Sequence, residues 1–136
     1  MGAVPDADAM QNYLQKHLGV PSSQIRNLRD SEATRAAIIE AIKAFSRNDK
    51  IKEGDPIFIY FAGHGGLANT PKDWKDWRTD KIEFLVPYDY SSEKGVPDPT
   101  YGIPDRTLGA LLSELASLKG YNIVRQTFIL RGSIIN

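Results

Sequence analysis

The sequence contains no cysteine among its 136 residues. This absence excludes disulfide bonds, thiolate metal sites and a thiol nucleophile supplied by these residues. Only two histidines are present, His17 and His64, so a zinc site would lack most of its usual sulfur and nitrogen ligands. The composition therefore predicts no zinc site and no cofactor.

A net charge is absent as well, because 17 basic and 17 acidic side chains cancel and neither sign is concentrated in one half. Nothing in this balance attracts nucleic acid or an anionic membrane. No apolar run approaches the roughly 18 residues that cross a bilayer, and the amino terminus lacks the pattern of a secretory signal. We expect a single cytoplasmic domain that binds neither nucleic acid nor membranes.

An uncharged run over residues 56–62 leads directly into Gly63-His64-Gly65-Gly66. The run is rich in β-branched and aromatic residues without polar alternation, which predicts a strand buried on both faces of a parallel sheet. His64 is then expected at the carboxyl end of the strand, where ligands and chemistry collect in open α/β sheets. A histidine base at that edge requires a nucleophile nearby.

Helical and strand patterns alternate along the chain, which predicts an α/β fold of the αβα sandwich class. The predicted helices are one capped by Asp6 and ending near Leu18, one from Asp30 or Ser31 to about Ser46, and one capped by Asp105 and ended by Gly120. The predicted strands besides the buried one are at 25–28, 84–87 and about 122–130, and a polar loop is predicted from Leu67 to Lys81.

Four blocks carry a family likeness in their correct order, and they are residues 2–10, 57–65, 86–89 and 103–108. Together they resemble the peptidase domain of metacaspases and fungal caspase-like proteins. The likeness spans about residues 2–123, so residues 1–136 are interpreted as one partial domain with an atypical tail at 124–136. The resemblance implies a caspase-like sandwich with a mainly parallel sheet. It also implies a cysteine–histidine dyad that cleaves peptides or proteins beside particular charged residues, and a family link to regulated cell death.

Several residues match functional positions of this family. His64 matches the dyad histidine, which activates the thiol and later protonates the leaving amine. Gly65 matches the backbone N–H donor of the oxyanion hole. Asp89 and Asp105 match acidic positions that help to hold calcium in some members. Because Arg106 occupies a neighbouring acidic position, we predict no metal site.

The segment that carries the nucleophile in this family departs from the pattern. Where an Asp-Cys-Cys-His-Ser-Gly-like segment is expected, the chain has 130–133, Leu-Arg-Gly-Ser. Ser133 is a poor substitute, because a hydroxyl is far harder to ionise than a thiol. We therefore predict that the 136 residues are inactive as a peptidase. The departure begins at Val124-Arg125, which is what a retained intron would encode.

The family also has a strand before Gly2 and further elements after Asn136. The resemblance therefore predicts a sheet that is incomplete at both ends. Such a sheet leaves unpaired backbone groups and apolar faces. We accordingly expect self-association or a partner that supplies the missing segments.

Two other functions are compatible with the sequence. The first is a caspase-like scaffold that binds partners without catalysis. The second is a dinucleotide-binding domain, since residues 63–68 fit G-x-G-x-x-A after a strand, although a polar loop rather than the required helix is predicted to follow. Several side chains also have a simpler structural interpretation. His64 would be structural and His17 solvated, and Trp74 and Trp77 would hold a long loop against the body of the domain. Asp89 would organise a turn, and Asp105 would cap a helix.

Overall fold

A computed structural model describes residues 2–74, 80–92 and 95–130, with the side chains of 128–130 left aside. Within these residues the elements, in chain order, are α1 (Ala3–Lys16), α2 (Arg35–Arg47), β1 (Ile57–Asn69), β2 (Lys81–Val86), β3 (Ile103–Pro104), α3 (Asp105–Lys119) and β4 (Ile123–Leu130). Short 3-10 turns occur at Ser22–Gln24 and Asp30–Glu32.

The four strands form one sheet in the order β3-β2-β1-β4. β4 runs parallel to β1 from the Ile57–Ile123 pair to the His64–Leu130 pair. The crossover helix α3 precedes β4, as a parallel connection requires. β2 pairs antiparallel with β1, and β3 pairs antiparallel with β2. The predicted α/β class is confirmed, and its sheet is mixed, with the long parallel pair β1–β4 at one side.

Helices α2 and α3 cover one face of the sheet. The buried cluster on this face comprises Ile42, Leu85, Ile103, Leu108 and Leu111, and Ile59 and Phe61 of β1 pack against it. Side chains alternate along a strand, so the neighbouring Tyr60 faces the opposite side, where it lines a cavity together with α1. The helices therefore lie on both faces of the sheet, which gives the predicted αβα layering.

The helix starts differ from the predicted ones. Gly2 is the N-cap of α1, and Asp6 lies in its first turn. Pro104 is the N-cap of α3, and Asp105 is its first residue. The predicted caps at Asp6 and Asp105 are therefore wrong. Both carboxylates lie instead within the first helical turn, where a negative charge complements the helix dipole.

The second helix begins later than predicted because Thr34 supplies the cap. The Thr34 side-chain oxygen accepts a hydrogen bond from the backbone N–H of Ala37 at 3.2 Å. The preceding Asp30–Glu32 segment forms a 3-10 turn that does not join the helix. A threonine whose oxygen satisfies a free helical N–H is a stronger start signal than the aspartate four residues earlier.

The strand predicted at 25–28 does not form in the described part of the chain. This segment lies alongside α1: Asn27 Nδ2 donates to Gln11 Oε1 at 2.6 Å, and Arg29 forms an ion pair with Asp8. In this segment, alternate polar side chains contact α1. The strand that was predicted from their alternation with apolar residues is therefore wrong.

The strand that carries His64 is longer than predicted. β1 continues to Asn69, and Leu67 and Ala68 pair with Glu83 and Ile82 of β2. The connection between these strands therefore spans residues 70–80, rather than beginning at Leu67. Leu67 is exposed and Ala68 is buried, which is the alternation of an antiparallel hairpin with one covered face.

Candidate functional site

His64 lies where the two pairings of β1 meet. It is opposite Leu130 of the parallel strand β4 and opposite Val86 of the antiparallel strand β2, and it is exposed. β1 does not end there, so the prediction of a strand end is wrong. Among the described residues, the parallel pairing with β4 extends as far as His64. An exposed imidazole towards the carboxyl end of a parallel pair is accessible to a ligand.

The glycines around His64 serve different purposes. A Cβ on Gly63 would stand 2.7 Å from the Phe61 ring, and a Cβ on Gly66 would stand 2.2 Å from the Phe84 ring. Packing against these two rings therefore disfavours a side chain at either position. Gly65 is exposed and follows His64 directly. This placement is compatible with a backbone N–H donor beside the imidazole.

The same segment does not have the geometry of a dinucleotide-binding loop. Residues 66–68 continue β1 in the antiparallel pair with β2. The fingerprint needs a helix that begins at its third small residue and directs free N–H groups at a pyrophosphate. No helix begins between β1 and β2 in the described part of this connection.

Asp89 connects the end of β2 to the start of α2. Its Oδ1 accepts a hydrogen bond from the Arg35 backbone N–H at 2.7 Å. The neighbouring Tyr88 N–H donates to the Ala33 carbonyl at 3.0 Å. The Asp89 carboxylate thus accepts a hydrogen bond at the N-terminus of α2, which agrees with its simpler interpretation as a residue that organises the turn.

Asp105 and Arg106 begin α3 directly after β3. Asp105 is exposed, and the Arg106 guanidinium carbon lies 5.1 Å from the centre of the Trp74 ring. This cation–π contact joins the 70–80 connection to α3, as the clamp interpretation of Trp74 predicts, whereas Trp77 lies outside the described residues. Among those residues, no group of three or more His, Asp or Glu side chains is arranged to hold a metal ion.

A small cavity between α1 and β1 was missed by the sequence analysis. Its volume is about 200 Å³, and it is lined by Asp6, Ala9, Met10, Tyr13 and Tyr60. The Asp6 Oδ2 atom is buried and has no hydrogen-bond partner within the described part of the chain. Burial and, second, the negative charge of Asp6 raise the pKa of Tyr60 above its ordinary 10.0.

The residues of this cavity had a recognisable pattern. Asp6, Met10 and Tyr13 are separated by four and three residues, so they share one face of α1. What the pattern did not reveal is that Tyr60 would close the cavity. Tyr60 and His64 share a face of β1 and are separated by about 13 Å along the strand, at roughly 3.3 Å per residue.

The model of the caspase domain family matches residues 1–120. The chain belongs to the caspase family. In this caspase domain, no described helix combines the length and apolarity needed to span a membrane. No curated protein matches the chain significantly.

A solved structure supports the caspase-type fold. A Geobacter sulfurreducens protein determined as a structural genomics target is 22% identical, with a TM-score of 0.52. The alignment covers 76% of this caspase domain and 32% of that protein. The chain thus spans about a third of the length of this neighbour. At this identity the likeness shows the fold alone.

His17 and Ser133 are the remaining residues named from the sequence. His17 is the exposed C-cap of α1, and its ring centroid lies 5.3 Å from that of Tyr13. Ser133, the only hydroxyl in the segment expected to carry the nucleophile, lies outside the described residues.

Proposed function

We propose that this domain supplies the histidine half of a metacaspase-type endopeptidase site. His64 is the general base, and the Gly65 N–H is a donor to the oxyanion of the tetrahedral intermediate. The observation that carries the proposal is that one face of the sheet carries both the exposed His64 imidazole and the buried Asp6 Oδ2 atom, which has no hydrogen-bond partner among the described residues. In the reaction, the imidazole takes the proton of a thiol and later gives a proton to the leaving amine.

The thiol itself has to come from outside these 136 residues, because they contain no cysteine. A further segment or a partner chain would supply it. The 136-residue domain is therefore expected to bind peptides without hydrolysing them. A permanently non-catalytic interaction module is the second candidate, and the absence of cysteine favours it for this chain.

The Asp6 cavity indicates the class of side chain that the site would accept. A buried carboxylate oxygen without a hydrogen-bond partner is costly, and a cationic donor that enters the cavity removes that cost. The rings of Tyr13 and Tyr60 line the same cavity and can contact a cation through their faces. We infer that the residue before the cleaved bond is lysine or arginine rather than aspartate.

Affinity labelling tests this arrangement without a thiol. A peptide that ends in an arginyl chloromethyl ketone would place its arginine in the Asp6 cavity and its reactive carbon near His64. The unprotonated imidazole nitrogen then bonds to the methylene carbon as chloride leaves, and the resulting imidazolium loses the proton of its other nitrogen to solvent. We expect mass spectrometry to locate the label on His64, with His17 unlabelled as an internal control.

The carboxylate is tested with a matched pair of variants. Asp6→Asn should slow labelling by about tenfold or more, because it removes a charged hydrogen-bond acceptor. Glu83→Gln, which removes an exposed carboxylate from β2, should leave the rate unchanged. Equal labelling by an aspartyl chloromethyl ketone, or of His17 and His64 alike, would contradict the proposed substrate class and geometry.

Turnover is tested separately with fluorogenic peptides that carry arginine, lysine or aspartate before the reporter. The 136-residue chain should release no more fluorophore than its His64→Ala variant. Hydrolysis by the chain that disappears in His64→Ala would show that the predicted inactivity is wrong.

A further inference from the structure

Arg35, the first residue of α2, makes two hydrogen bonds to two different segments. Its backbone N–H donates to Asp89 Oδ1 at 2.7 Å. Its side-chain Nε donates to the Gly102 carbonyl at 2.8 Å. The residue thus joins the start of α2 to the segment after β2 and to the segment before β3.

Both of these segments border the strand that flanks His64. Asp89 follows Val86 by three residues, and Val86 is the β2 residue opposite His64. Gly102 precedes Ile103, which pairs with Leu85, and Leu85 is opposite Gly65. Movement of either attachment would therefore displace the β2 residues that lie directly against His64 and Gly65.

The Arg35 side chain differs in character from the arginine at the other end of the helix. Arg35 is half-buried, and its side-chain Nε donates to a backbone carbonyl. Arg47 is exposed and pairs with the exposed Glu40 on the same helix. An exposed pair within one helix contributes little to geometry elsewhere, whereas a bond between distant segments fixes their relative position.

We propose that Arg35 is a positioning residue for His64 and Gly65, acting through the carboxyl end of β2. Its importance for catalysis rests on the proposed function, but the positioning itself is measured at His64 without any substrate. A failure of peptide binding or labelling would leave this measurement unaffected.

The test uses proton NMR of the 136-residue chain, which has two imidazoles. Arg35→Met keeps the apolar stem and removes the Nε donor. We expect it to move the carbon-bound ring-proton resonances of His64, since the β2 residues that lie against His64 are displaced. The ring-proton resonances of His17 should stay in place in the same spectra. Arg47→Met is the matched control and should move neither set of resonances.

Amide hydrogen exchange gives the second readout. Arg35→Met should accelerate exchange at His64 and Val86 by roughly threefold to tenfold, the effect of one lost hydrogen bond. Exchange at the distant end of β1, near Ile57, should not change. Asp89→Ala removes the other attachment and should accelerate the same two amides.

Arg35→Lys retains the stem and the positive charge, so it covers the case in which Arg35→Met does not fold. It should give the same changes at His64 with smaller amplitude. Unchanged His64 ring-proton resonances together with uniform acceleration of exchange along β1 in a folded Arg35 variant would overturn the proposal, because this result would show a contribution to stability alone.

Discussion

The ring of Phe84 lies against Gly66, its direct partner across β1 and β2. A Cβ on residue 66 would stand 2.2 Å from the Phe84 Cζ atom. The same ring also meets Gly102, where a Cβ would stand 2.3 Å from Cδ2. Phe84 is only 2% exposed. The ring therefore occupies space that two glycines leave open.

Replacement of Gly66 should destabilise the domain. Gly66→Ala is expected to lower the free energy of unfolding by about 1–3 kcal/mol, because the Phe84 ring has to move within a packed region. Gly109→Ala is the matched control, since Gly109 lies in α3 with no atom near its added Cβ. It should stabilise by about 0.5–1 kcal/mol through helix propensity. Urea denaturation measures both, and equal effects of the two alanines would refute the packing argument.

Leu115 is expected to be a major contributor to stability in α3. It is 0% exposed, whereas Leu118, three residues later, is 55% exposed. Leu115→Ala should cost about 2–5 kcal/mol through lost burial and a cavity. Leu118→Ala should change the free energy of unfolding by less than about 0.5 kcal/mol, as is usual for surface substitutions. A thermal shift of the same size for both variants would show that the packing of α3 differs from that described.

Ionisation of Tyr60 should couple folding to alkaline pH. Burial and the nearby Asp6 raise the pKa of this phenol in the folded chain above 10.0, so the unfolded chain loses its proton first. The contribution to stability is complete below about pH 10 and is lost as pH rises through the folded pKa. Absorbance at alkaline pH, compared with Tyr60→Phe, isolates this titration from those of the other tyrosines.

The same titration tests the contact between Asp6 and Tyr60. Asp6→Asn should lower the Tyr60 pKa only part of the way towards 10, because burial, the larger cause, remains. Glu83→Gln should leave it in place. A Tyr60 that titrates at its ordinary value in the unmodified chain would show that the phenol is not shielded by α1.

The parts of the fold that follow from local patterns were predictable. The uncharged run before His64 predicted β1, and the leucines between Asp105 and Gly120 predicted α3. The last strand was predicted at about 122–130 and is observed at Ile123–Leu130. The predictions were wrong at the boundaries of elements and at residues 25–28. There, polar residues that contact α1 alternate with apolar ones, and this alternation is typical of a strand.

The candidate site was predictable only in part. His64 and Gly65 were identified from the strand and glycine pattern, and their roles stay predictions. The Asp6 cavity and the two attachments of Arg35 were not identified, because Tyr60, Asp89 and Gly102 lie far from them along the chain. The spacing of residues within one helix does not show which residue of a distant segment will contact them.

The sequence by itself determined the absence of a thiol, the alternation of helices and strands, and the strand that carries His64, because composition and periodicity are local properties. Only the tertiary structure decided which carboxylate oxygen is buried without a partner in the described part of the chain, which glycines make room for an aromatic ring, and which segments Arg35 joins. Those outcomes depend on strand register and on contacts between residues that are far apart in the sequence.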